Sequence, residues 1–354
     1  MNTDILFSVQ NGIGIIQLNR PQALNALTHD MCIPLEQHLR SWAADPAVKA
    51  VIIKGAGEKA FCAGGDIRKL ADRSPDGVSY RKSFWHDEYR CNTLIGEYPK
   101  PFIALIDGIF MGGGVGLSVH GSHRIISEFA HFAMPETGIG LFPDVGGTYF
   151  LPRCPGELGT YLGLTGARLK GADILTAGVA THFVPRASMA ALEQALIDAA
   201  QSDSFLGDKA GIDGVVAKFA ADPGPSPLAE RKAEIDRRFG GESVAAVMTA
   251  LETDPSPFSI EQAGIIRSKS PTSVKLTFAQ LRRGRSLSRR ACTKLEWRIS
   301  THVALGHDFY EGVRAVIIDK DHKPKWQPAR LEDVSDAEIE KYFTPVADGE
   351  LQFD

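Results

Sequence analysis

Residues 5–18 (ILFSVQNGIGIIQL) carry two short apolar-rich runs separated by Asn11-Gly12. Asn-Gly tolerates positive φ at both positions, so the segment predicts a β-hairpin. Asn19-Arg20-Pro21 ends it. Thr28 then precedes a run apolar at Met31, Leu35 and Leu39, which predicts a capped helix through about Ala43. Pro34 falls in its first turns, where proline does least harm. Val48–Lys54 reads as a buried strand, Gly55–Gly65 as a glycine-bearing loop, and Asp66 as the start of the next helix. Phe84–Glu97 predicts a helix of mixed character with Glu88 on its polar side. Phe102–Ile106 predicts a strand, Asp107–Gly114 a second glycine loop, and the residues to about His120 a helix. Arg124–Ser127 and His131–Ala133 read as short strands, and Pro135–Gly147 as a loop-rich segment holding two acids. Helices follow at Glu157–Leu164 and Ala172–Ala177.

Strand, glycine loop and helix thus recur, at 48–70 and at 102–120. This is a rough internal repeat of supersecondary units in an α/β fold. From about residue 187 the pattern is almost entirely helical, with Pro/Asp/Ser-rich breaks at 222–227 and 253–258. The chain therefore divides into a core with the candidate site at 1–195 and a helical region at 196–354.

Charge and composition narrow the function. A net charge of −4 provides no global basic field for nucleic acid or anionic lipid. No apolar run is long enough to span a bilayer. The five cysteines (Cys32, Cys62, Cys91, Cys154, Cys292) are odd in number, widely spaced and without CxxC or zinc spacing, which suits free thiols in a reducing compartment. The N-terminus shows neither an Arg-rich amphipathic presequence nor a signal peptide, so the cytoplasm is the expected location.

Three segments carry candidate chemistry. Phe61-Cys62-Ala63-Gly64-Gly65-Asp66 and Met111-Gly112-Gly113-Gly114-Val115-Gly116 both lie between a strand and a helix. Backbone N–H groups at such turns lack helical partners, and two such loops on neighbouring strands could aim two donors at one oxygen. For either loop alone, tight packing or positive φ explains the glycines equally well. A dinucleotide fingerprint starting at Gly112 would need glycine where Leu117 stands, and no phosphate-loop Gly-Lys-Ser/Thr is present. Gly121 falls one residue late for the serine-hydrolase elbow. In the third segment, Glu136 and Asp144 stand eight residues apart in an apolar, glycine-rich stretch. Apolar surroundings raise a carboxyl's pKa and leave the carboxylate poorly solvated, hence more reactive towards a polarised carbonyl. A turn role for Asp144 and a surface ion pair for Glu136 are the plain alternatives.

At these residues the chain resembles the crotonase, or enoyl-CoA hydratase/isomerase, superfamily. The matching segments are LNRPQALNAL (18–27), KAFCAGGDI (59–67), DGIFMGGGVGLS (107–118) and MPETGIGLFPDVGGTYFLPR (134–153). The resemblance implies a crotonase-like spiral of ββα units followed by a mainly helical C-terminal region. It implies an oxyanion hole for a thioester oxygen from the N–H groups of Gly65 and Gly113. Family hydratases use two glutamates; one matches Glu136, and the other would fall at Gly116, which has no side chain. Asp144 stands where hydratases usually carry glycine.

That combination, with SPTSVKLTFAQL (270–281) and GHDFYEGVRAVIIDKDHKPKW (306–326), is similar to the 3-hydroxyisobutyryl-CoA hydrolase branch. The branch implies hydrolysis of a short 3-hydroxyacyl-CoA of valine breakdown. Glu136 would be nucleophile or base, Asp144 would position the substrate hydroxyl, and Glu88 would line the pocket. CoA belongs to the substrate, and no metal or other cofactor is implied. Relatives form trimers or hexamers through this core, which leaves a homo-oligomer open. An isomerase or unusual hydratase of the same superfamily is the main alternative, since one glutamate suffices to shuttle a proton. A scaffold used only for binding, as in an RNA-binding relative, is the third.

Two further features stand outside the site. His120-Gly-Ser-His123 has a spacing that could bind metal, but no acid or cysteine nearby completes a set, and a structural role is expected. The basic run Arg282–Arg290 reads as a solvated helix face or as a contact for the CoA phosphates.

Overall fold

The computed structural model describes residues 3–201, 208–347 and 349–353. The chain packs into two compact units that interleave along the sequence. One gathers Met1–Gly65, Arg90–Phe132 and Leu169–Pro227; the other gathers Asp66–Tyr89, Ala133–Arg168 and Leu228–Asp354. The division at 195/196 concerns order along the chain, strands first and helices after, which is a different partition.

The first unit is built on a six-stranded sheet in the order β1-β2-β3-β5-β7-β10. β1 (Ile5–Gln10) and β2 (Ile13–Leu18) form the expected hairpin, with Ile5 opposite Leu18. Asn11 at φ 50° and Gly12 at φ 86° close its turn. β3 (Ala50–Gly55), β5 (Phe102–Ile106), β7 (His123–Ile126) and β10 (His182–Phe183) continue the sheet in parallel. One face is covered by helices Arg186–Ala199 and Lys209–Val216, whose Leu192, Leu196, Ile212 and Val216 bury against Ile13, Ile52, Ile103 and Ile125. Helix His29–Ala44 brings the Trp42 ring against β2, where a Cβ on Gly14 would lie 2.6 Å from it. Thr28 occupies the N-cap position of this helix, but its side chain makes no cap bond.

A second sheet of four very short strands belongs to the same unit, ordered β4-β6-β8-β9. β4 (Ala60–Cys62), β6 (Ile109–Met111) and β8 (His131–Ala133) each follow a strand of the large sheet; β9 is Leu169–Lys170. Each expected glycine loop therefore contains a strand. The helices after β4 and β6 are single turns, Ile67–Leu70 and Gly113–Gly116, the second much shorter than the helix to His120 that the sequence suggests. β7, β8 and the 3-10 turn Glu136–Ile139 make a third copy of the same motif. The repeat is therefore a series of ββ-helix units, as the family resemblance implies.

The second unit is mainly helical. Its helices begin at good caps: the Ser256, Ser270 and Ser288 hydroxyls accept the N–H groups of Ser259, Ser273 and Ala291. Pro257 and Pro271 occupy first-turn positions. The Ser335 cap is a full capping box with Glu338. The helix bearing Glu88 runs from Pro75 to Gly96, and Glu88 is buried rather than on a solvated side. Among the described residues, no helix is long and apolar enough to cross a membrane.

Candidate active site

The glycine loops belong to the first unit. β4 and β6 pair in parallel, with Cys62 beside Phe110. The chain leaving β4 turns at Gly64, at φ 111°, and the chain leaving β6 turns at Gly112, at φ 46°. Both values favour glycine. The loops lie against one another: a Cβ on Gly64 would sit 3.3 Å from the Met111 carbonyl and 3.8 Å from the Gly113 nitrogen. A Cβ on Gly114 would lie 2.0 Å from the Cys62 carbonyl, so only glycine fits. The Leu27 N–H takes the Gly64 carbonyl at 2.8 Å, and Leu27 bridges Gly65 in parallel. The Val115 and Gly116 N–H groups both turn back to Gly112. Among the described residues, the Gly65 and Gly113 N–H groups have no backbone acceptor in these loops. Two adjacent, uncommitted N–H donors are what an oxyanion hole requires.

The acids belong to the second unit, where they form a buried cluster with Tyr89. Glu136 is 4% exposed and opens the 3-10 turn that ends at Gly140 with φ 69°. Gly140 cannot carry a side chain, because its Cβ would lie 2.1 Å from the Asp308 carbonyl. Glu136 Oε2 is buried and has no hydrogen-bond partner among the described residues. Burial first, and the Asp144 charge second, hold its pKa well above the ordinary carboxyl range. Asp144 is equally buried and accepts the Tyr89 hydroxyl on Oδ2 at 2.9 Å. Burial raises its pKa to about 7, against the lowering effect of the Tyr89 bond. Two carboxyls that repel each other in an apolar setting share their protons, so they titrate as a pair. Glu136 is buried rather than at the surface, and Asp144 does open a turn, its carbonyl accepting the Gly147 N–H, while its side chain is buried against Tyr89.

The backbone beyond Asp144 is unusual. Val145 at φ 51° and Gly146 at φ 91° are consecutive left-handed residues, and a β-branched residue there is strained. Glu296, fully buried, accepts the Gly146 and Thr148 N–H groups at 2.8 Å each. Its pKa is raised to about 8, first by burial. Glu88 is buried in the same unit, and its charge helps, after burial, Asp144 and Glu296, to raise the Tyr89 hydroxyl. Glu136, Asp144 and Glu88, the acids singled out in the sequence, are buried in one packing unit together with Tyr89 and Glu296, which the sequence did not single out. Tyr89 stands beside Glu88 in the sequence; nothing local marks Glu296.

The other sequence candidates take structural parts. His123 is buried, with Nδ1 at 2.9 Å from the Ser122 hydroxyl and Nε2 at 3.1 Å from Asp213. Burial lowers its pKa to about 4, which keeps it neutral. In the basic run, Arg282 and Arg285 both pair with Glu157, at 3.0 and 2.6 Å, and Arg283 pairs with Glu340.

The ββ-helix units with their paired glycine turns, and the buried acids Glu136 and Asp144, fit the crotonase resemblance. Residues 13–343 match the enoyl-CoA hydratase/isomerase family, and the chain belongs to it. It is 49% identical to the Xenopus laevis protein named 3-hydroxyisobutyryl-CoA hydrolase, mitochondrial, over 96% of this chain and 88% of that one. The Gallus gallus protein of the same name is 47% identical over 99% of this chain and 91% of its own. Among solved structures, a carnitinyl-CoA dehydratase from Mycobacterium thermoresistibile is 40% identical, with a TM-score of 0.91, covering 100% of this chain and 99% of that one. The cytoplasmic expectation is corrected by these relatives, which are named as mitochondrial proteins. Free thiols suit any reducing compartment, so the cysteine pattern does not single out the cytoplasm.

Proposed function

We propose that this protein hydrolyses short 3-hydroxyacyl-CoA thioesters, 3-hydroxyisobutyryl-CoA foremost, to the hydroxy acid and free CoA. The observation that carries the reading is the buried Glu136 under the influence of the Asp144 charge, in a chain that has Gly116 at the position where the family's hydratases carry their second glutamate. The names of relatives at 47–49% identity support the substrate.

The proposed chemistry draws on carboxylates and backbone N–H groups alone. The Gly65 and Gly113 N–H groups take the thioester oxygen and stabilise the charge that develops on it. Glu136 Oε2, which has no hydrogen-bond partner among the described residues, adds to the carbonyl carbon. The C–S bond breaks, the sulfur leaves with the electron pair and takes up a proton, and a mixed anhydride remains. Water then cleaves the anhydride and restores Glu136. The same carboxylate acting as general base on a water molecule gives the same products in one addition. Both routes need an ionised Glu136, so a raised pKa makes the reaction faster as pH climbs through that value. Asp144, fixed by Tyr89, receives the substrate 3-hydroxyl. That the loops and the acids serve one substrate rests on the family resemblance.

Hydration or dehydration of an enoyl-CoA is the second reading, favoured by the name of the Mycobacterium thermoresistibile neighbour. A free-thiol assay with 3-hydroxyisobutyryl-CoA, run beside the ultraviolet signal of crotonyl-CoA, separates the two. Thiol release with no loss of the enoyl signal supports hydrolysis; the reverse pattern refutes it.

A further inference from the structure

The strained turn after Asp144 is tied to the C-terminal helices. Val145 and Gly146 lie in the left-handed region, and the turn bond from the Gly147 N–H to the Asp144 carbonyl, at 2.8 Å, is local. Two side chains from the C-terminal helices complete its polar groups with matched chemistry. Glu296, on helix Arg289–Val303, accepts the Gly146 and Thr148 N–H groups. Gln280, on helix Pro271–Gly284, donates to the Pro143 carbonyl at 2.6 Å and to the Thr148 hydroxyl at 2.7 Å. The Thr148 hydroxyl in turn bonds Glu296 in a way that favours its charged form. Both side chains are fully buried. The same helix that carries Gln280 ends at Gly284, whose missing Cβ would lie 1.9 Å from the Thr148 carbonyl. Every residue in this network belongs to one packing unit.

We propose that Glu296, backed by Gln280, is a positioning residue that fixes the 143–148 turn and so aims the Asp144 carboxyl at the substrate 3-hydroxyl. This rests on the reading of Asp144 given above. The residue types suit the task. Two N–H donors on one side of a turn need two acceptor oxygens, and the Glu296 carboxyl group presents one to each. A glutamine would meet one N–H with its oxygen and oppose the other with its own NH₂. A methionine at 280 would keep the volume and lose both donors. Because the clamp sits on the C-terminal helices, it gives them a part in selecting the substrate.

The test compares kcat/KM for 3-hydroxyisobutyryl-CoA with that for isobutyryl-CoA, which lacks the hydroxyl. General loss of stability lowers both values together, whereas misaiming Asp144 lowers only their ratio. The variants are Glu296→Gln, Gln280→Met and Asp144→Asn, each with its melting temperature. We expect the ratio to fall at least about fivefold in E296Q and in Q280M, towards that of D144N. Adding E296Q to D144N should not lower it further. An unchanged ratio in a folded E296Q or Q280M overturns the proposal. If neither variant folds, the pair holds the fold rather than aims the acid, and the proposal is equally overturned. A wild-type enzyme that releases CoA from neither ester, or from both equally, refutes the reading of Asp144 itself, and the proposal falls with it.

Discussion

Replacing Tyr89 with phenylalanine removes one atom from the core of the candidate site. The lost hydroxyl donates to Asp144 Oδ2 at 2.9 Å, and both residues are buried. A hydrogen bond to a charged acceptor contributes about 1.5–3 kcal/mol. Since one pKa unit corresponds to about 1.4 kcal/mol, the Asp144 titration should move up by roughly one to two units. It starts at about 7, so it would reach about 8 to 9 in the variant. Near pH 7.5 the ionised fraction then drops from roughly three quarters to between about a quarter and a few per cent. If ionised Asp144 receives the substrate hydroxyl, kcat/KM at that pH falls about 3- to 25-fold. Most of the activity returns above pH 9.5 or so, because Asp144 is again charged. The assay is thiol release across pH 6 to 10, with kcat/KM fitted to the acid limb. Glu136 must be ionised as well and is raised by burial and by the Asp144 charge, so the limb belongs to the pair and the effect of Tyr89→Phe is read as its displacement from wild type. An activity loss of equal size at every pH, with the limb unmoved, would refute the role given to this bond.

Four other outcomes follow from the same geometry. Glu136→Gln should abolish CoA release and retain binding of the CoA ester; residual turnover above about a hundredth of wild type would count against Glu136. Asp144→Asn removes the charge that raises Glu136, so the Glu136 titration should move down, read as an acid limb at lower pH. Gly114→Ala drives a methyl group onto the Cys62 carbonyl, 2.0 Å from its ideal position. That variant should melt lower and lose activity, and wild-type values for both would show that the loops can move apart. The last outcome concerns pH and stability. Asp144 and Glu296 have folded pKa values of about 7 and 8, above ordinary carboxyl values. The folded state therefore holds more protons than the unfolded one up to those values, and this favours folding most at low pH. Their contribution is lost as pH rises through 7 and 8, so the melting temperature should decline from pH 6.5 to 9. His123, lowered to about 4, works only below pH 6.5, where its reluctance to charge makes the fold weaker as pH falls.

Local chemistry explains which parts of this molecule could be read from its sequence. The hairpin at Asn11-Gly12 and the strand, glycine loop and helix series were legible, because turn residues and β-rich runs act over a few positions. The three-residue strands β4, β6 and β8 were partly hidden inside loops, being too short to show alternation. That concealment also masked the third repeat, which carries Glu136. His86 and Asp87 beside Glu88 suggest a polar helix face, whereas the burial of Glu88 depends on tertiary packing. The partners of the acid turn were out of reach for the same reason. Tyr89 meets Asp144 across 55 residues and Glu296 meets Gly146 across 150. The location failed differently: sequence composition spoke to redox state, and the relatives spoke to the compartment.

The most direct test of the central claim is the fate of 3-hydroxyisobutyryl-CoA incubated with the purified protein and a thiol reagent. Stoichiometric free CoA together with 3-hydroxyisobutyrate, lost in Glu136→Gln, is the predicted result. Formation of an unsaturated acyl-CoA without thiol release would contradict it.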